Sequence, residues 1–376
     1  MKMIYLDNAA TTQVCREAAE AALRLMTENY GNSSSTHGLG RTARDELKKA
    51  RATVAESIGA LPDEIYFTAG GTEGDNWAIQ ASCHLMRHKG RHIISSPTEH
   101  SAVRKMMESM EAQGYEISYI SPRDDGAIHA DDVIFALRPD TVLVSLMLVN
   151  NETGAVTDIA AIAKALKARH SQALLHTDAV QGYMKIPFTV RTLGADLITM
   201  SAHKLHAPKG TGALYIRKGL QLSGLLVGGG QENGRRAGTE NLPGICGFAA
   251  AVIAAKEDYT LHQRLQDLNK LARDTLGETV PEAIFIGNGA HHILCVSLPG
   301  YRSEVLLNYL DAKGICVSKG SACKKGARSH VLEAMKLPAN VIDGAIRVSF
   351  GRFTSDADIL AFCSALADAR DSLAHR

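Results

Sequence analysis

The chain has 376 residues, 45% of them hydrophobic, with 41 lysines and arginines against 40 acidic residues. That length supports one large core and a second, smaller one, and the balanced charge, without a run of one sign, argues against a nucleic-acid or anionic-membrane partner. No stretch of about 18 uninterrupted apolar residues occurs and no long apolar segment follows the basic start, so the protein reads as cytoplasmic with small-molecule ligands.

In chain order, short apolar runs appear at 64–68, 92–96, 115–120, 141–149, 173–178, 196–201 and 213–216, with helical-period segments between them. The alternation predicts βαβ units and a mostly parallel sheet covered on both faces, an α/β fold. One helical stretch from about 244 to 277 is long enough to leave this unit for another. Strands near 293–298, 314–318 and 344–350, with helices near 302–312 and 355–373, then predict a smaller α+β part. The expected boundaries are a large domain over 15–255 and a small domain made of 1–14 with 256–376.

In FTAGGTEGDNWAI (67–79) a strand runs through Gly70 and Gly71 to Thr72 and a helical segment. Glycines there allow backbone N–H groups close to a ligand, and a helix start favours phosphate. The alternative is a plain turn capped by Thr72. His100, in SPTEHSAV, follows a strand, a setting that suits stacking on a flat ring, carrying a proton, or the plain structural role more common for a lone histidine. Asn151, in VNNETG, suits a hydrogen bond to a ring hydroxyl or simply a turn. Asp178 ends ALLHTD at the carboxyl end of a parallel strand, where a carboxylate can pair with a pyridinium nitrogen or cap a helix, and Gln181 follows it.

Lys204 lies in SAHKLHAPKGTGALY just past a buried-type strand, beside Ser201 and His203. A desolvated lysine near other cations loses its proton readily, and the neutral amine condenses with aldehydes, which points to pyridoxal 5′-phosphate. His203 and His206 form a His-x-x-His pair, with no third ligand in view for a metal. None of the seven cysteines makes a Cys-x-x-Cys pair, and most lie in apolar company. Cys323 differs: SKGSACKKGARSH surrounds it with small and basic residues that favour the thiolate. Arg347, in GAIRVSFGR, is hemmed in by apolar residues and needs an anionic partner, either a bound carboxylate or a structural acid.

Taken together, YLDNAATT, YGNSSSTHGLGR, FTAGGTEGDN, TEH, VNNETG, HTDAVQ, SAHKLHAPKGTGALY, GGGQENGRRAGTEN, GSAC and IRVSFGRFT resemble, nearly end to end, a cysteine desulfurase of the NifS/IscS type. These belong to the class V aminotransferase group of fold-type I pyridoxal phosphate enzymes. The resemblance implies Lys204 as the lysine bonded to the cofactor, Asp178 as the pyridinium partner, and His100 as stacking ring and proton shuttle. Asn151 and Gln181 would contact the ring hydroxyl side, and Asn151 would also lie by the substrate. Gly71, Thr72, Ser201 and His203 would hold the phosphate, with Thr239 reaching the partner's phosphate in a homodimer.

By the same resemblance Arg347 would grip the carboxylate of L-cysteine, and Cys323 would take its sulfur as a persulfide for a sulfur-acceptor protein. The sequence KKGARSHVL after GSAC is shorter and more basic than the family's usual Glu-Pro-Ser-His stretch, which leaves the acceptor open among iron–sulfur cluster assembly, tRNA thiolation and other cofactor sulfuration. A selenocysteine lyase or a plain class V aminotransferase would share Lys204 and Asp178. A non-enzymatic sulfur carrier would need only Cys323.

Overall fold

The computed structural model describes residues 3–319 and 328–373. Cys323, predicted as the nucleophile, lies outside them. Seven strands form the large sheet: β2 (Ile65–Thr68), β3 (His92–Ser95), β4 (Glu116–Tyr119), β5 (Thr141–Ser145), β6 (Leu174–Asp178), β7 (Leu197–Ser201) and β8 (Gly212–Ile216). They are ordered β2-β8-β7-β6-β5-β3-β4. β8 runs antiparallel to both its neighbours and every other pairing is parallel. Every residue of β5, β6 and β7 is buried, as expected of strands covered on both faces.

Two features place the site. The parallel strands end together, so Asp178 and Ser201, the last residues of β6 and β7, meet at the carboxyl edge of the sheet, where α/β sheets bind ligands. The run predicted as one strand over 141–149 leaves the sheet after Ser145. Leu146 N and Leu148 N still donate to the backbone carbonyls of His176 and Asp178. These bonds carry the chain past the end of β6 and set Asn150 and Asn151 on the rim.

A three-stranded antiparallel sheet is ordered β12-β10-β9, from β9 (Ile284–Ile286), β10 (Ile293–Ser297) and β12 (Ala345–Ser349). β1 (Ile4–Tyr5) pairs in parallel with β11 (Ile315–Cys316). Apolar residues gather in separate cores, one around the large sheet and one joining Leu6, Leu294, Val348 and Phe362. The first residues serve both: Leu6 belongs to the second core and Ala9 to the first.

The helix predicted over 244–277 is two helices, Leu242–Glu257 and Leu261–Thr279. The Asp258 carboxylate takes hydrogen bonds from Thr260 Oγ1 (2.9 Å) and Arg264 Nη2 (3.1 Å), a local turn that competes with the helical ladder. The first helix packs on α1 (Arg16–Thr27) and α2 (Gly38–Ser57), the second on the helix Asp356–Ser372. Among the described residues no helix is long and apolar enough to cross a membrane.

Candidate active site

α3 (Gly71–Met86) begins where β2 ends, and its cap is Gly70, not Thr72. Gly70 has φ 154°, a conformation open to glycine, and that frees Thr72 to stand in the first turn. Gly71 is required by close approach, because a Cβ there would come within 2.8 Å of Val180 Cγ2. Gly71 and Thr72 line a cleft of about 430 Å³ together with His100, Asn151, Asp178, Gln181, Ser201, His203, Lys204 and Arg347. Ten of the sequence-predicted positions thus converge in one place. Thr239 does not: it is exposed and lines a separate cleft with Thr68, Glu232 and Arg236.

Lys204 ends a short 3₁₀ turn directly after β7. Its Nζ donates to the carbonyls of Ala9 and Ala10, each at 2.6 Å. Burial, with Arg347 adding to it, pushes the amine down to about 8, while Asp7 and Asp178 pull the other way. Gln181 Nε2 donates to the same Ala9 carbonyl at 2.8 Å, and Lys185 Nζ reaches Gln181 Oε1 at 3.5 Å, which fixes the amide's orientation. Burial pushes Lys185 down to about 7.

Asp178 accepts from Val180 N at 2.9 Å. Burial raises its carboxyl above the usual range, opposed by the charges of His100 and Lys204 and the Val180 N–H, so a cation against it would be welcome. His100 is the N-cap of α4 (Ser101–Ala112), where its Nδ1 accepts from Ala102 N at 3.2 Å. In the neutral ring this leaves the proton on Nε2. Asn150 builds the rim turn, taking the Glu152 and Thr153 N–H groups on Oδ1, so the neighbouring Asn151 is left to face the cleft.

Arg347 is 4% exposed and its predicted anionic partner is structural: Nη2 lies 2.7 Å from Asp7 Oδ1. Nη1 donates to Asn151 O at 2.8 Å. His203 Nδ1 lies 3.2 Å from Thr11 Oγ1, and burial with the Lys204 charge pushes its ring down to about 4. His206 is committed elsewhere, donating from Nδ1 to Gln13 O and accepting on Nε2 from Arg352 N, so it does not turn toward His203.

Sequence reasoning missed several members. Asp7 and Ser318 line the cleft, as does Asp75, whose Oδ1 is buried without a hydrogen-bond partner. Glu99, beside His100, is also buried; Met147 N donates to its Oε1, and Oε2 has no partner among the described residues. Asp75 stands between Gly74 and Asn76, and Glu99 between Thr98 and His100, so no local pattern marked either as buried.

The aminotransferase class-V family matches residues 4–362. The chain belongs to the class-V aminotransferase family. Among curated relatives it is 42% identical over 366 residues to the cysteine desulfurase IscS of Methanosarcina thermophila, covering 95% of this chain and 89% of that one. It is 43% identical over 368 residues to cysteine desulfurase 2 of Trichormus variabilis, covering 96% and 91%. A solved NifS-like protein superposes with a TM-score of 0.93 at 34% identity over 99% of this chain and all of that one. The family's enzymes use pyridoxal phosphate, and the cleft fits it. Among the described residues Ser201 Oγ is buried with no partner at the sheet edge, beside the start of α3 where an anion would be stabilised, and the Lys204 amine and the Asp178 carboxyl, groups of the kind an aldehyde and a pyridine nitrogen require, line the same cleft.

Proposed function

We propose that the chain is a cysteine desulfurase that removes sulfur from L-cysteine, yielding L-alanine and a persulfide on Cys323. The observation that carries this beyond a general class-V reaction is Ser318. It lines the cleft and bonds the Arg347 backbone, and Cys323 lies five residues farther on, within roughly 17 Å of extended chain. An aminotransferase has no use for a thiol on the segment that follows Ser318.

The bound cofactor would supply an electron sink for charge developing on the substrate's carbons. Thr72, Ser201, His203 and the N–H groups at the start of α3 would hold its phosphate, Asp178 would keep its ring nitrogen protonated, and His100 would lie on its face. Lys204, neutral in half the molecules near pH 8, would take the proton from the substrate Cα and return one later. His100 Nε2 would pass protons beside it. Arg347 would hold the substrate carboxylate and so orient the sulfur toward the Ser318 side of the cleft. The Cys323 thiolate would attack that sulfur: a sulfur–sulfur bond forms as the carbon–sulfur bond breaks, and the released pair stays on carbon, which is protonated to alanine.

The same reading has the protein cytoplasmic, with residues 15–255 as the cofactor domain and 1–14 with 256–376 as the small domain. It also has a homodimer in which Thr239 reaches the partner's phosphate. The exposure of Thr239 away from its own Lys204, and of Leu23 (60%) and Met26 (64%) on α1, supports the dimer. The sulfur would go to an acceptor protein for iron–sulfur cluster biogenesis or tRNA thiolation.

Alanine release from L-cysteine with reductant tests the proposal, comparing wild type with Cys323→Ala. Alanine from the wild type alone, with cyanide-labile sulfur on Cys323, supports it. Equal alanine from both would transfer the chemistry to a lyase that frees sulfur or selenium directly, and none from either would point to amino-group transfer.

A further inference from the structure

Arg347 is buried, and a buried guanidinium must be neutralised. Among the described residues the carboxylate in ion-pair range is Asp7, at 2.7 Å. The other contacts of the guanidinium are the Asn151 carbonyl and Ser318 Oγ (3.3 Å), which carry no charge, and Nε has no partner. Asp7 and Arg347 both face the cleft. A substrate carboxylate that binds Arg347 through its fork must therefore take the place Asp7 occupies.

The displaced Asp7 can turn its side chain but cannot carry its backbone away. Its backbone is bridged to Ser349, and the next two residues are clamped to the same strand end, Asn8 Nδ2 to Ser349 O at 2.9 Å and Ala9 N to Ser349 Oγ at 2.8 Å. Its carboxylate stays within electrostatic range of Lys204. An α-amino acid brings one cation with its one anion, so its nitrogen can neutralise the freed Asp7 while its carboxylate neutralises Arg347. A 2-oxo acid brings only the anion and would cost Asp7 its guanidinium with no cation gained in exchange.

We propose that Asp7 is the resident counter-ion of Arg347, displaced by each incoming carboxylate, and that this exchange makes the cleft select zwitterionic amino acids over 2-oxo acids. The inference rests on Arg347 as the carboxylate site. It gives the chain a physical reason to favour a reaction that begins and ends with an amino acid over transamination, which must also admit a 2-oxo acid.

The test is titration calorimetry on the holoenzyme with propionate, an anion without nitrogen, and with alanine. Asp7→Asn is expected to tighten propionate about tenfold while changing alanine by less than about threefold, so the preference for the zwitterion narrows. Asp7→Ser removes the same charge and serves if the amide disturbs the N-terminal segment. Propionate affinity unchanged in both variants, with alanine weakened in Arg347→Lys, overturns the inference and leaves the carboxylate role of Arg347 intact. If Arg347→Lys changes neither ligand, the role of Arg347 fails and the inference falls with it.

Discussion

The Ser329 hydroxyl donates to the Glu152 carboxylate at 2.5 Å, a buried bond between positions 177 residues apart, one residue from the Asn151 carbonyl that holds Arg347. Ser329 also caps the helix His330–Ala334, accepting from Leu332 N at 3.2 Å. Ser329→Ala removes both bonds and is expected to cost about 2–3 kcal/mol, read from urea unfolding midpoints. Burial raises Glu152 and the Ser329 bond opposes that rise. Without the hydroxyl the folded carboxyl titrates higher still. Its contribution is complete below the unfolded value of 4.5 and is lost as pH rises through the folded value, so the deficit against wild type should grow with pH.

Cofactor capture should report the Lys204 amine directly. With the amine held down to about 8, cofactor-free protein is expected to bond pyridoxal phosphate at a rate that climbs with pH and flattens just above 8. An ordinary lysine would keep climbing toward 10.5. Stopped-flow absorbance across pH 6–10 distinguishes the two courses. Lys204→Ala should give no covalently bound cofactor and at least about a thousandfold less alanine.

Asp178→Asn removes the carboxylate meant to hold the ring nitrogen's proton while keeping its shape. Alanine formation is expected to fall by about a hundredfold or more with cofactor content retained. A second readout follows from electrostatics. Asp178 raises Lys204, so the flattening of the capture rate should move to lower pH in the variant.

Asp75→Asn should stabilise the cofactor-free protein, and more so at high pH. Burial raises the Asp75 carboxyl well above its usual value, with the Asp178 and Glu99 charges adding to the rise. Among the described residues no cation compensates it: His176 Nε2 is 3.6 Å away, but burial pushes that ring down to about 3, so it is neutral. The folded chain therefore keeps a proton that the unfolded chain releases above 3.8, and stability drains away as pH rises toward the folded value. The amide removes this loss. The melting-temperature gain of Asp75→Asn should be larger at pH 8 than at pH 5.

How much of this was legible depended on how local each cause is. A fully buried strand is an apolar run bounded by polar residues, so LLHTD and LITMS could be placed within a residue or two, and with them Asp178 and Ser201. The reversed direction of β8 left no trace, since GALYI reads the same either way. The break between the helices Leu242–Glu257 and Leu261–Thr279 has no glycine or proline to announce it. It comes from what the Asp258 carboxylate binds.

The site divides in the same way. Lys204, Asp178, His100 and Gly71 stand in local settings that suit their chemistry, and Arg347 signalled a need for an anion without naming it. The answer, Asp7, is 340 residues away in sequence, and spacing cannot reveal such a partner. Asp75 and Glu99 stayed hidden for a related reason. Nothing in their own segments shows that three acids from a helix, a turn and a strand converge beneath one cleft.

The hydrogen bonds from Asn8 and Ala9 to Ser349 close the cleft with the first and last parts of the chain. A ribosome releases Asp7, Ala9 and Ala10 long before Arg347 exists, and the large sheet can form in the interval. Throughout that time Lys204 lacks the neighbouring guanidinium that helps deprive it of its proton. Cofactor capture is therefore expected to quicken once Arg347 has joined the cleft. A chain stopped before Arg347 would take up pyridoxal phosphate more slowly at a given pH, because its Lys204 would hold its proton more tightly and expose less of the neutral amine.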